Sequence, residues 1–189
     1  MKIAKEYSKS IFCLEGNWNN DLRDEMSIKP TLDYLKVCFK IKNIYRNCTT
    51  KEQFLELIAE YKKKEYNEYS ILYLAFHGRV NEIILGKDII DLDVLEEENY
   101  GLFTNKIIHF GSCSTLNMDK RRLLRFVRNT NALCLSGYKT DVDFNKSAVL
   151  DILYFEKWQY YKDVRCVERD MVKEYKELSK LLKFTMIYD

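Results

Sequence analysis

Two stretches of this chain end an apolar run on residues able to do chemistry. "ILYLAFHG" at 71–78 carries six apolar residues, then His77 and Gly78; "IIHFGSCS" at 107–114 carries another apolar run, then Gly111, Ser112 and Cys113. A cysteine attacks a carbonyl carbon as its thiolate, and a histidine beside it favours that form and later gives a proton to a departing amine. The chemistry also needs amide donors aimed at the developing oxyanion. The N–H groups of Gly78 and Cys113 are the candidate pair, and small Gly111 and Ser112 leave the approach to the sulfur open. His109 is a competing base, but four extended residues separate it from Cys113 by roughly 13 Å. It is expected in or beside the core. Taken singly, His77 reads as a loop residue and Cys113 as one of six inert thiols. It is the joint pattern, His then Cys in consecutive strand units beside glycine or serine, that singles them out.

For the two residues to meet, their strands must end at one edge of one sheet. The hydrophobic pattern predicts strands at 10–14, 39–45, 71–76, 106–110 and 132–137, several of them continuously apolar as in a sheet buried on both faces. Helical spacing predicts helices at 30–38 with Pro30 in the first turn, 51–64, 91–99, 120–130, 144–161 and 166–183. "TKEQ" at 50–53 has the form of a capping box, and 82–90 that of a hairpin turning at Gly86-Lys87-Asp88. Strands alternating with helices predict an α/β protein, a three-layer αβα sandwich with a mostly parallel central sheet. In such sheets ligands gather beyond the carboxyl ends of the strands, where both His77 and Cys113 are expected.

The bulk numbers fit one domain over 1–189. Of the 189 residues 47% are hydrophobic and 32% charged, so a core is available without staples. A net charge of +2 gives no reason to expect a nucleic-acid partner, and the mixed charges of "EYKKKEYNEY" read as solvated helix faces. No apolar run approaches the ~20 residues that span a bilayer, and the N-terminal "MKIAKEYSKSIFCLEG" is too weakly apolar for an export signal. The six cysteines lack CxxC spacing, so a cytoplasmic chain without disulfides, structural zinc or any other cofactor is expected.

"LYLAFHG" followed by "IIHFGSCS" resembles the caspase-like cysteine peptidases, the group of caspases, metacaspases, gingipains and CHAT domains. The resemblance runs over about 10–155. It implies a caspase-like fold, with His77 as catalytic histidine, Cys113 as nucleophile, and "SGYKTDVDF" at 136–144 as a loop beside the substrate pocket. It departs from caspases proper: "GSCST" replaces their Gln-Ala-Cys signature, and His77 lies 36 residues before Cys113 rather than about 50. Aspartate specificity therefore does not carry over. Asp141 and Asp143 are candidate receivers of a basic substrate side chain, although Asp143 is also placed to cap the helix at 144. Arg79 is a candidate for selecting an acidic one, and Glu15, Gly16 and Trp18 are candidates for lining the cleft.

The implied activity is a cysteine endopeptidase acting on a protein or peptide, in a prokaryotic stress or defence setting, controlled by a separate protein acting in trans. The alternative is a non-catalytic caspase-like module that binds a protein partner through the same cleft. A flavodoxin-like binding domain has less support, because "GxGxxG" and "GxxxxGK[ST]" are both absent.

Overall fold

A computed structural model describes residues 9–19, 21 and 23–189. The first half of the N-terminal stretch weighed as an export signal, residues 1–8, lies outside them. In chain order the elements are β1 (Ile11–Glu15), α1 (Lys29–Phe39), β2 (Asn43–Asn47), α2 (Lys51–Tyr61), β3 (Ile71–Ala75), β4 (His77–Arg79), β5 (Glu82–Leu85), β6 (Asp88–Asp91), α3 (Leu92–Glu98), β7 (Ile107–Phe110), α4 (Lys120–Thr130), β8 (Cys134–Tyr138), α5 (Phe144–Lys157), α6 (Val164–Glu174), α7 (Lys176–Leu181) and β9 (Phe184–Ile187).

Six strands form one sheet in the order β2-β1-β3-β7-β8-β9, parallel except for β9. β1 and β3 are buried along their whole length, which is why they read as apolar runs, broken in β1 only by its last residue, Glu15. Alternate side chains leave the sheet on opposite faces. Phe12, Leu14, Leu72, Leu74 and Phe110 pack under α2, α3 and α4, through residues such as Phe54, Leu95 and Phe126. Ile11, Cys13, Ile71, Tyr73 and Ile107 pack under α1, α5 and α6, through residues such as Leu35, Tyr154 and Val167. The expected αβα sandwich is therefore present. α1 lies on one face and α2 on the other, so the chain reverses its direction of travel across the sheet between β1 and β3. Such a reversal opens a crevice at the strands' carboxyl ends.

The helix starts follow their caps. Thr50 accepts from the Gln53 amide, while the Gln53 side chain accepts from Thr49 N–H rather than from Thr50. Asp119, Asp143 and Asp163 cap α4, α5 and α6. Arg122 and Arg125 of the basic helix α4 pair with Asp93 and Glu96 of α3. Among the described residues no helix is long and apolar enough to cross a membrane.

The structure corrects three expectations. The second strand begins at Asn43, because Phe39 ends α1 and Lys40 turns the chain in the left-handed region. The predicted helix over 166–183 breaks at Tyr175, and the chain ends in the antiparallel edge strand β9 instead. His77 stands not in a plain loop but in β4, which pairs with β5 and β6 in a separate three-stranded sheet.

His109 is fully buried, with one ring nitrogen 3.0 Å from Ser136 Oγ and the other 2.8 Å from Asp151 Oδ1. Asp151 also accepts from the hydroxyls of Tyr73 and Tyr138. With both ring nitrogens engaged, His109 ties β7 to β8 and α5. Asp151→Ala would leave the Tyr73 hydroxyl and one His109 ring nitrogen without their buried partner, while the Tyr138 hydroxyl keeps the Ser147 carbonyl at 3.2 Å. It is expected to lower unfolding stability by roughly 3 kcal/mol, measured as a shifted urea midpoint; an unchanged midpoint would contradict the network's structural role.

Candidate active site

Register sets the level at which the site is built. Leu74 pairs with Phe110, so His77 and Cys113 each stand three residues past one register pair on adjacent strands. Glu15 pairs with Ala75, which puts Trp18 three residues past the end of β1. The three chain segments leaving β1, β3 and β7 thus start from one row, and the Gly111 N–H donates to Leu74 O at 2.9 Å to continue it.

Beyond that row the chain passes over itself at close range. A Cβ on Gly78 would lie 2.2 Å from Thr115 Oγ1 and 2.8 Å from both Cys113 O and Ser112 Cβ. Only a residue without a side chain lets β4 rest on the loop that carries Cys113. Further bonds hold the two together: Asn81 N–H donates to Thr115 O, and the Thr115 hydroxyl donates to Glu82 O. Ser114, immediately after the cysteine, has φ 53, in the left-handed region. Its amide donates to Thr140 O and its hydroxyl to Asp141 Oδ1 at 2.7 Å, so this sharp turn is held from both ends.

His77 and Cys113 line the same cavity, of about 250 Å3, with Trp18, Met26, Val142 and Phe144 among its other walls. His77 Nε2 lies 2.7 Å from the backbone oxygen of Trp18. A carbonyl only accepts, so Nε2 carries the proton in that bond and Nδ1 is the nitrogen left for proton transfer. The Trp18 indole meets the His77 ring edge-on at a centroid distance of 5.3 Å and meets Phe144 at 5.0 Å. On the other side, Val142 N–H donates to Cys113 Sγ at 3.4 Å.

Glu15 fixes the loop that supplies Trp18. Its buried carboxylate accepts from Trp18 Nε1, Ile28 N–H and Ser27 Oγ, each at 2.6 Å, and from Tyr45 OH at 2.7 Å. Of the three residues expected to line the cleft from this loop, Trp18 does so; Glu15 supports it from below.

The structure does not bring the expected specificity residues into the cavity. Asp141 is exposed and bonded to Ser114, and Asp143 caps α5 by accepting from Lys146 N–H at 3.0 Å. Neither lines the cavity. Arg79 is paired with Glu82 and also stands outside it. Sequence reasoning missed the Trp18 carbonyl, because any residue offers one, and Met26; it set the loop over 136–144 beside the pocket but did not single out Val142 and Phe144, which carry no reactive group.

All six cysteines are free thiols. Burial pushes Cys48 up to about 11, Cys134 up to about 12, and Cys13 well above its ordinary value. These three stay protonated in the core, while Cys38 is exposed and Cys113 half-buried at the cavity.

The sequence matches the family of unknown function DUF6642 over residues 8–188. The chain belongs to that family. A search of curated proteins finds no match. Among solved structures, caspase-1 from Spodoptera frugiperda superposes with a TM-score of 0.59 at 11% identity, over 90% of this chain and 79% of that one. This family member therefore has a caspase-like fold, with the expected mostly parallel six-stranded sheet between helices.

Because β4 rests on the cysteine loop only through a glycine, Gly78→Ala must push the two apart. Overpacking of this kind costs about 1–3 kcal/mol. The thermal midpoint of Gly78→Ala is expected to fall by several degrees; a midpoint equal to wild type would contradict the contact.

Proposed function

We propose that this chain is a cysteine endopeptidase with Cys113 as nucleophile and His77 as general acid and base. One observation carries the reading: imidazole and thiol line one cavity at the carboxyl edge of a caspase-like sheet, with a backbone carbonyl orienting the imidazole.

In this reading the Cys113 thiol proton passes to His77 Nδ1. Sulfur attacks the scissile carbonyl carbon, and the N–H groups of Gly78 and Cys113 receive the developing oxyanion. The C–N bond breaks as Nδ1 returns its proton to the departing amine, leaving an acyl thioester on Cys113. Water then adds to the thioester carbon, its proton going to the imidazole. The C–S bond breaks, the new carboxyl end leaves, and the thiol re-forms. Throughout, Nε2 keeps its proton on the Trp18 carbonyl, so the ring does not have to turn between steps.

The experiment is to incubate the chain with a diverse peptide mixture and map new termini by mass spectrometry. Wild type is expected to cleave, Cys113→Ala to be inactive, and His77→Ala to lose about 10²-fold or more in rate. A mixture left intact by wild type, or cut equally by Cys113→Ala, would contradict the reading and favour a module that binds a partner through the same cleft.

A further inference from the structure

The cavity beside Cys113 points to the class of side chain it receives. We propose that the substrate residue whose carbonyl is attacked carries a neutral, apolar side chain, seated between Trp18, Met26, Val142 and Phe144. This rests on the peptidase reading and goes beyond it by assigning the substrate class.

Charge comes first. Among the described residues, the only ionisable walls of the cavity are His77 and Cys113 themselves; the remaining walls include Asn19, Gly111 and Ser147, all neutral. The three charged residues expected from the sequence to select a substrate are engaged elsewhere. Asp141 accepts from Ser114, Asp143 caps α5, and Arg79 pairs with Glu82. A lysine, arginine, aspartate or glutamate side chain entering here would lose its hydration and meet no opposite charge, which is strongly unfavourable.

Size and surface agree with this. At about 250 Å3 the cavity is smaller than the roughly 300–1,000 Å3 typical of sites that enclose a whole small ligand, and it suits one side chain of a longer chain. Met26 is 46% exposed, and Trp18, Val142 and Phe144 are only partly buried. These walls form an apolar lining open to solvent next to the sulfur, and covering it removes apolar area from water. The lining is also rigidly mounted: Trp18 is held by Glu15 and packed edge-on against Phe144, and Val142 is tied to Cys113 Sγ through its amide.

On the far side of Trp18 and Met26 lies a second, polar cavity containing Asp21 and Asp24. Asp21 is paired with Arg23, and Asp24 accepts from the Asn19 side chain and the Met26 amide. Neither carboxylate faces the thiol's own cavity.

The test is a series of fluorogenic peptides identical except at the residue before the cleaved bond, assayed with the full chain and with Cys113→Ala as blank. Leucine, methionine and phenylalanine peptides are expected to be cut at least about tenfold faster than lysine, arginine, aspartate or glutamate peptides. Val142→Asp places a carboxylate in the lining and is expected to move the preference toward lysine and arginine by about tenfold. Cys113-dependent cleavage that favours charged peptides would overturn the pocket assignment and leave the peptidase reading standing. Cleavage of no peptide in a Cys113-dependent way would overturn the peptidase reading, and the assignment with it.

Discussion

The close passage of Gly78 over the cysteine loop is the constraint on which the rest of the site depends. A parallel sheet can bring two strand ends to one edge, but it does not make the segments beyond them touch. Here the touching is enforced by the bare Gly78 backbone, with the Thr115 and Ser112 side chains and the Cys113 carbonyl filling the space a side chain would need. The bonds from Asn81 to Thr115 and from Thr115 to Glu82 then lock the small sheet β4–β6 onto the loop after β7. His77 is delivered by one of those segments and Cys113 by the other, so their relative position is a property of packing rather than of two independent loops.

A second layer of support lies one step further out. Glu15, at the end of β1, gathers four donors from a loop and a neighbouring strand. Its carboxylate fixes the Trp18 indole, and the Trp18 main-chain carbonyl accepts from His77. The buried acid thus acts on the imidazole through a main-chain oxygen, without touching it. Asp141 does the equivalent for the cysteine by holding the left-handed turn at Ser114. These two carboxylates are therefore spent on geometry, and neither lines the cavity beside Cys113.

Much of this frame was legible in the sequence. β3 is a continuous apolar run and β1, β7 and β8 are largely apolar because both their faces are covered, α2 carries its cap and periodicity openly, and α4 reads as a helix without its Asp119 cap standing out. What escaped had physical reasons. β4 has only three residues, His77, Gly78 and Arg79, too few for any period to appear. Tyr175 and Leu178 face the same core as Val167 and Met171, so the apolar stripe continues across the break between α6 and α7 and hides it. β9 is an edge strand with its first two residues only partly buried, which leaves little pattern to read. At the site, residues with reactive groups could be singled out by type. The orienting carbonyl of Trp18 and the apolar walls could not, since their role comes from position alone. The acidic pair Asp141 and Asp143 drew attention for their charge, and the structure uses that charge for a turn and a helix cap.

The central claim is that His77 acts on Cys113. Iodoacetamide modification of the native chain, resolved cysteine by cysteine, tests it most directly, because exposed Cys38 serves as an internal reference of ordinary reactivity. At pH 7 Cys113 should be modified well ahead of Cys38 despite being less exposed, and His77→Ala should abolish that lead. A Cys113 that reacts no faster than Cys38, or keeps its lead when His77 is removed, would contradict the account.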